Sequence, residues 1–399
     1  MGNQNFQHGP ITTKNVKDCK NNLIRYGIAE MQGWRRTMED SVMAIDNFDK
    51  NKTNFLFGIM DGHGGSIISK YVAYNFKDFI VNLDSFKEQN YENALIETFL
   101  KLDECLKYKE VNELLYSMSY DTPLDEDLVT EKELNKKKSL PKKNKKLTKV
   151  KFKNKSVFID LFKKDKTYYN QTNYDQHNNI FIANQMGTTA NILMIINNSL
   201  YLANCGDSLS VMFKNGEAIK LNREHKVTLQ SEKERIIKSG NVITNKRIAG
   251  KLNLTRAIGD LEFKKNYNLK YYEQSVISYP EITFIDNIYD IDFIIMACDG
   301  LWDCVDPQKL CENIYQKLLN FKKNNITDFN LSDIIGHIFD TILSKSNNTP
   351  IGTDNMSCII ILFENGNNYL NKLIEINNNN DNNNKNQNDD KINEKNQNS

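Results

Sequence analysis

Short apolar runs bounded by turn residues recur in two blocks of the chain, about 22–120 and 181–364. Runs of four to eight apolar residues predict strands that are buried on both faces. Asn197-Asn198 and Asn215-Gly216 predict tight turns, so the four central strands are predicted to form one antiparallel meander. The predicted strands span 55–60, 190–196, 199–203, 209–213, a short segment after Gly216, 282–285, 293–297 and 356–363.

Apolar residues at intervals of three and four predict helices between these strands. Ser66 is suited to cap the first helix, which runs to about Phe79, and Gly240 is suited to end another. Strands come in a run and helices in groups, rather than in strict alternation, which predicts an α+β fold with antiparallel sheets. The remaining helices are predicted at 94–108, 228–238, 307–321 and 331–345.

Two segments are too polar to form a packed core. Residues 121–180 are a Lys- and Asn-rich insert and residues 365–399 an Asn-rich tail, and both are predicted to be disordered. The lysine run of the insert is open to two interpretations, a nuclear-import or acidic-partner patch and a merely solvated segment. One folded domain is therefore predicted over 22–364, after an N-terminal segment of residues 1–21.

Charge and cysteine content narrow the classes of protein. The 52 basic and 51 acidic residues nearly cancel, so no nucleic acid is expected as the main partner. Seven cysteines without a CxxC pair indicate a reducing, intracellular compartment, cytoplasmic or nuclear. No apolar stretch is long enough for a membrane span. Gly2 suggests N-myristoylation and membrane association only weakly, because Phe6 stands where the pattern requires Ser or Thr.

Acidic residues recur at the ends of the predicted strands. One such Asp-Gly is more often a simple turn than a functional site. Five motifs together indicate carboxylates that converge on one edge of a sheet, where they would repel each other unless cations lay between them. Mg²⁺ or Mn²⁺ suits oxygen ligands of this kind. A pair of such ions promotes the attack of water on a phosphoryl group. The motifs are Glu39-Asp40, Asp61-Gly62, Gly206-Asp207, Asp299-Gly300 and Asp354-Asn355.

These motifs belong to an ordered series that resembles the metal-dependent protein phosphatases, the protein phosphatase 2C or PPM family. The resemblance covers about 23–363 and implies two antiparallel β-sheets packed as a sandwich, flanked by α-helices on both outer faces. It also makes 22–364 the catalytic domain. The series runs RYGIAEMQGWRRTMED, DGHGG, MGTTAN, ANCGDS, REHK, SEKERI, LTRAIGD, ACDGLWD and TDNMS.

The resemblance implies the metal ligands. Asp61 matches the aspartate that bridges two metal ions, and Gly62 matches the glycine whose carbonyl oxygen binds one of them. Asp299 and Asp354 match the aspartates that complete the shell of the other ion.

Further acidic residues match outer positions of the same centre. Glu39 and Asp40 match the acidic pair that reaches the metals directly or through water. Asp207 and Asp303 match residues that, together with Asp299, hold a weaker third ion in some members.

Two further residues match the family's catalytic positions. Arg35 matches the arginine that binds the phosphate, and its planar fork can hold two phosphoryl oxygens. His63 matches the candidate general acid, which protonates the leaving serine or threonine oxygen. The implied activity is the hydrolysis of phosphoserine and phosphothreonine in phosphoprotein substrates, by attack of a water or hydroxide that bridges two divalent ions.

Other functions fit the sequence less well. A cysteine phosphatase needs an HCxxxxxR sequence, which is absent, and five histidines are too few for the histidine-rich dinuclear phosphoesterases. A metal-dependent nuclease would need a basic, aromatic strand-binding groove. The main alternative is a catalytically inactive scaffold of the same fold, but every predicted metal ligand is present.

Overall fold

The computed structural model describes residues 9–49, 54–119 and 182–364. The predictions for Gly2, for most of the insert and for the tail lie outside these residues. A strand of ten residues, Ile11–Lys20, lies within the predicted N-terminal segment and was not foreseen. It pairs antiparallel with Ile24–Gly33, so the sheet begins before residue 22. Its side chains are mostly exposed, which is why its apolar pattern is weak.

Two antiparallel sheets form the centre of the molecule. The first has six strands in the order β1-β2-β16-β15-β9-β10, and the second has five in the order β14-β8-β7-β4-β3. The strands of the first sheet are β1 (Ile11–Lys20), β2 (Ile24–Gly33), β9 (Leu209–Lys214), β10 (Glu217–Lys220), β15 (Phe293–Ala297) and β16 (Met356–Phe363). Those of the second are β3 (Ser41–Asp46), β4 (Phe55–Met60), β7 (Ala190–Ile196), β8 (Ser199–Cys205) and β14 (Glu281–Ile285).

Helices cover the outer face of each sheet. Helices α1 and α3 pack on the five-stranded sheet, and α7 and α8 pack on the six-stranded sheet. The helices are α1 (Ile67–Ile80), α2 (Asp84–Lys87), α3 (Tyr91–Cys105), α4 (Lys109–Ser119), α5 (Gln230–Lys238), α6 (Asp299–Trp302), α7 (Pro307–Lys323) and α8 (Leu331–Ile342). The predicted α+β sandwich with helices on both outer faces is therefore confirmed.

The central strands are apolar at consecutive positions because each face of each sheet is covered. Phe57 and Ile59 of β4 point into the core between the sheets, where they meet Ile294 of β15. Leu56 and Met60 of the same strand point the other way, into the core beneath α1 and α3. The sandwich thus has three apolar layers. They explain the runs of consecutive apolar residues, which would be unusual in a sheet with one face exposed to solvent.

One prediction about the strands was wrong. The four strands from Ala190 to Lys220 form two separate hairpins, β7-β8 in one sheet and β9-β10 in the other. The chain crosses between the sheets at Gly206-Asp207-Ser208, where Gly206 has a φ of +123°. Local turn signals predict hairpins correctly, but they do not tell whether successive hairpins share a sheet.

Two small sheets complete the fold. One contains β5 (Gly62–His63), β6 (Gly187–Thr188) and β13 (Ile258–Gly259), with β6 in the middle. The other is a hairpin of β11 (Ile243–Thr244) and β12 (Arg247–Ile248). The part of the chain that the structure describes has no helix long and apolar enough to cross a membrane.

Candidate metal centre and active site

Strands of both sheets end at one edge of the sandwich, and the acidic motifs lie there. Ser41 pairs with Met60, so the residues before β3 lie beside those after β4. Ala297 pairs with both Cys358 and Leu209, so the residues after β15 lie beside those before β16 and β9. The antiparallel register therefore gathers acidic residues that are far apart in the chain.

Asp61 is fixed by the loop before β7. Its backbone N–H donates to Thr189 Oγ1 at 3.0 Å, and its carbonyl oxygen accepts from the Thr189 N–H at 2.8 Å. The Thr188 hydroxyl donates to the same carbonyl at 3.0 Å. These bonds give the predicted MGTTAN motif a structural role, because they hold the backbone on which the Asp61 carboxylate depends.

Asp207 lies where the chain crosses between the sheets. The preceding Gly206 packs so closely on Thr189 that a side chain there would overlap it. The Gly206 N–H donates to His225 Nδ1 at 3.2 Å, and Lys226 Nζ lies 3.5 Å from the Asp207 carboxylate. Two residues of the REHK motif therefore hold Asp207 in place, His225 through the backbone of Gly206 and Lys226 through the carboxylate.

Asp299 follows β15 and Asp354 precedes β16, and these two strands are adjacent in the six-stranded sheet. Gly300 contacts the Asn355 carbonyl so closely that no side chain would fit there. The Asn355 side chain accepts from the Glu39 N–H at 2.9 Å and donates to the carbonyls of Gln32 and Thr37. Asn355, for which no role was predicted, thus ties the Glu39 loop to the start of β16.

Carboxylate oxygens of Asp61, Asp207 and Asp299 all lie within 4.8 Å of one another. In a second group, ligand atoms of Asp61, Asp40 and Cys298 also lie within 4.8 Å of one another. Asp61 therefore belongs to both groups, as a bridging ligand would. The backbone of Gly62 lies against the Glu39 carbonyl, which keeps Glu39 at the same edge.

Burial and mutual repulsion make these carboxylates hard to ionise. Burial, followed by the charges of neighbouring aspartates, raises the pKa of Asp61 and Asp299 well above the ordinary value. Burial also raises the pKa of Asp207, and it raises that of Asp40 to about 7. Asp40 Oδ2 and Asp207 Oδ2 are buried and accept no hydrogen bond from a described residue, although Lys226 Nζ lies 3.5 Å from Asp207 Oδ2.

The donor set suits hard divalent cations. Carboxylate oxygens dominate it, and a cation would both satisfy the unpaired oxygens and remove the repulsion between their charges. Cys298 is a less suitable ligand, because burial raises the pKa of its thiol well above the ordinary value and keeps it protonated. The residues present therefore fit the metal centre that the sequence predicts.

An open cavity of about 860 Å³ lies over this edge. Arg35 lies at its rim, with more than half of its side chain exposed, and its Nη2 is 2.6 Å from Asp354 Oδ2. His63 lies in the wall, where its Nε2 is 2.7 Å from Asp260 Oδ2. Eight of the predicted site residues line the cavity: Arg35, Glu39, Asp61, Gly62, His63, Asp207, Asp299 and Asp354.

The chain is similar over most of its length to proteins of one family. The family model described as Protein phosphatase 2C matches residues 24–122 and 125–337. Probable protein phosphatase 2C 21 of Arabidopsis thaliana is 33% identical over 366 residues, which cover 91% of this chain and 93% of that protein. Probable protein phosphatase 2C 5 of Paramecium tetraurelia is 29% identical over 355 residues, which cover 89% and 98%. The chain belongs to the protein phosphatase 2C family.

Solved structures agree on the fold. A phosphatase of Toxoplasma gondii aligns with a TM-score of 0.56 at 17% identity, covering 88% of this chain and 96% of that chain. A sex determining protein of C. elegans aligns with a TM-score of 0.55 at 19% identity, covering 87% and 66%. The family match makes the chain a metal-dependent serine/threonine protein phosphatase whose substrates are phosphoproteins. The scaffold alternative is not favoured.

Two predicted site residues do not line the cavity of this phosphatase 2C. Asp40 is buried behind Asp61, within the second group of close ligand atoms. Asp303 is exposed one helical turn after Asp299, and its N–H donates to the Asp299 carbonyl at 2.8 Å. The structure thus places Asp303 near the centre but outside both groups. Its predicted part in a third metal site remains a prediction.

Asp260 is the site residue that the sequence did not single out. It follows Ile258-Gly259, a short apolar segment that ends in glycine. Asp207 likewise follows an apolar segment that ends in glycine, Gly206. The same signal was therefore present in the LTRAIGD motif. The contact with His63 is not visible in the sequence, because Asp260 lies 197 positions after that histidine.

Proposed function

We propose that this phosphatase holds two divalent cations, Mg²⁺ or Mn²⁺, in the carboxylate cluster and uses them to hydrolyse phosphoserine and phosphothreonine. The observation that carries this proposal is the closeness of the Asp61, Asp207 and Asp299 oxygens in a partly buried site. Asp354 and the Gly62 carbonyl would complete the shells, and Glu39 and Asp40 would act directly or through water. When bound, such a pair lowers the pKa of a water molecule and neutralises charge on the phosphoryl oxygens.

Arg35 would bind the phosphate at the rim of the cavity. Its guanidinium now donates to Asp354, which leaves other N–H groups of the planar fork for phosphoryl oxygens. Since the side chain is largely exposed, it can turn toward a substrate at little cost in packing. We expect Arg35→Ala to raise KM for a phosphopeptide more than it lowers kcat.

His63 would donate the proton that the leaving serine or threonine oxygen needs. It lies directly after Gly62 in β5 and lines the cavity beside Asp61. A proton donor at this place shortens the life of the alkoxide, which is a poor leaving group without protonation.

The proposal is tested by hydrolysis of a phosphothreonine peptide with Mn²⁺, with Mg²⁺ and with excess chelator. Isothermal titration of metal-free protein with Mn²⁺ gives the number of ions directly, without a measurement of activity. Asp61→Ala is the test variant, and Asp340→Ala, an exposed aspartate paired with Lys14, is the matched control. Two ions bound by the control and fewer by Asp61→Ala would support the proposal. Metal binding unchanged in Asp61→Ala would overturn it.

We also propose that the phosphatase acts inside the cell. All seven cysteines are free, which suits a reducing compartment. Imaging of the tagged chain, beside its Gly2→Ala variant, tests both the location and the membrane association predicted from Gly2. A cytoplasmic or nuclear signal is expected, and a secreted protein would contradict it.

A further inference from the structure

The small sheet of β5, β6 and β13 brings two distant motifs together. His63 pairs with Gly187, and Gly187 pairs with Gly259 on its other side. Asp260 follows Gly259 directly, so the DGHGG and LTRAIGD motifs meet across the MGTTAN motif. A side chain at Gly187 would overlap both the Asp260 carboxylate and the His63 ring. Glycine in the central strand is therefore what allows the acid and the histidine to touch.

Asp260 is held rigidly in this position. Its side chain is almost completely buried, and its backbone has a φ of +49°, which is uncommon for a residue other than glycine. Its N–H donates to the Met186 carbonyl at 3.0 Å, and its own carbonyl accepts from the Phe263 N–H at 3.0 Å. A left-handed backbone costs on the order of 1–3 kcal/mol and persists where the surroundings fix it, often at functional sites.

The contact uses one nitrogen of the imidazole. Asp260 Oδ2 lies 2.7 Å from His63 Nε2, so a proton on Nε2 is donated to the carboxylate. No described residue makes a hydrogen bond to His63 Nδ1, and about a quarter of the side chain is exposed to the cavity. A carboxylate on one ring nitrogen fixes the orientation of the ring, and when both ring nitrogens are protonated it holds Nε2–H and leaves the Nδ1 proton to be donated.

We propose that Asp260 is a positioning residue, which orients His63 so that Nδ1 carries the proton for the leaving group. This inference rests on the proposed role of His63 as general acid. In the reaction, the oxygen of one water forms a bond to phosphorus while the bond to the serine or threonine oxygen breaks. The leaving oxygen takes the proton from Nδ1, a proton of the water is released to solvent, and His63 keeps Nε2–H on Asp260 until solvent reprotonates Nδ1.

The test compares two substrates with different leaving groups, a phosphothreonine peptide and p-nitrophenyl phosphate. The threonine oxygen needs a proton as it leaves, whereas p-nitrophenolate is stable without one. We expect Asp260→Ala to lower kcat for the peptide by about 10²-fold, the lower range for a general acid, with little change in KM. The loss for p-nitrophenyl phosphate should be at least about tenfold smaller than for the peptide.

Asp103→Asn is the matched control. Asp103 is a buried carboxylate that accepts from the Gly259 N–H at 2.8 Å and from Lys264 at 2.7 Å, and it braces the same loop without touching His63. Any loss that it causes should be equal for the two substrates. Asp260→Asn, which keeps the size of the side chain, serves as the second variant if Asp260→Ala does not fold.

A double variant separates the inference from the function on which it rests. If Asp260 acts through His63, then Asp260→Ala should cause no further loss in a His63→Gln background. Equal losses on both substrates in Asp260→Ala and Asp260→Asn, or additive losses in the double variant, would overturn the positioning role alone. A His63→Gln protein that loses both activities equally would overturn the general-acid assignment and the role of Asp260 with it.

Discussion

Buried carboxylates occur in two regions of this phosphatase, and their surroundings are opposite. Glu232, on α5, bonds to Arg235 at 2.7 Å, to Arg256 at 2.7 Å and to the Thr255 hydroxyl at 2.7 Å. These partners outweigh burial and lower the pKa of Glu232 to about 2. The cluster around Asp61 has buried oxygens without partners and raised pKa values.

The difference separates a structural acid from a ligand-binding one. Glu232 lies in the SEKERI motif and Arg256 in LTRAIGD, so both belong to the series on which the resemblance rests. Their bonds are nevertheless complete within the protein, and they join α5 to the segment that leads to β13. An acid whose bonds are complete stabilises the fold, whereas one that lacks partners in a buried site needs an ion.

The largest effect should come from Asp61→Ala. Turnover of a phosphothreonine peptide should fall by more than about 10³-fold, because both groups of close ligand atoms lose their shared member. The metal-free variant should be more stable than the metal-free parent, since removal of the Asp61 carboxylate relieves burial of an acid and its repulsion by neighbouring aspartates. Urea denaturation in chelator measures this gain, and a less stable variant would contradict the account of the cluster.

Glu232→Ala should have the opposite effect on stability. Removing this acid leaves Arg235 and Arg256 buried without their partner, which costs about 3–5 kcal/mol of unfolding free energy. Urea denaturation checks the loss. Glu234→Ala, an exposed position on the same helix, is the control and should stay within about 0.5 kcal/mol of the parent. The number of Mn²⁺ ions bound by folded Glu232→Ala should not change.

The pH dependence of stability should reflect the Glu232 network. Its pKa falls from 4.5 to about 2 on folding, so its contribution is complete above about 4.5 and is lost as the pH falls toward 2. The parent should therefore lose unfolding free energy more steeply than Glu232→Gln over this range. Parallel curves from acid titrations of the two proteins in chelator would show that folding does not lower the pKa of Glu232.

The smallest effect should come from Asp303→Asn. Asp303 is exposed and outside the two groups, although its charge contributes to the raised pKa of Asp299. We expect a few-fold rise in the Mn²⁺ concentration needed for half-maximal activity, with kcat little changed. A loss as large as that of Asp61→Ala would place Asp303 among the main ligands and would weaken the distinction between paired and unpaired acids.

Much of the fold could be predicted because its signals are local. The bounds predicted for Phe293–Ala297 and Met356–Phe363 agree with the structure, since covered strands need consecutive apolar residues. Ile11–Lys20 was missed because an exposed edge strand carries little apolar pattern. Ser66 lies at the start of α1, as predicted, but its side chain makes no capping bond.

Residue order alone was enough to predict the apolar strands, the grouped helices, the five acidic motifs and, through the order of the motifs, the resemblance to protein phosphatase 2C. Each of these depends on the residue types in a short segment. Three other facts emerge from the folded chain: Asp207 lies at a crossing between the sheets, Asp260 contacts His63, and Glu232 is fully paired. Those facts depend on register and on contacts between distant segments, and an acid in sequence looks the same whether its partners are arginines, a histidine or a metal ion.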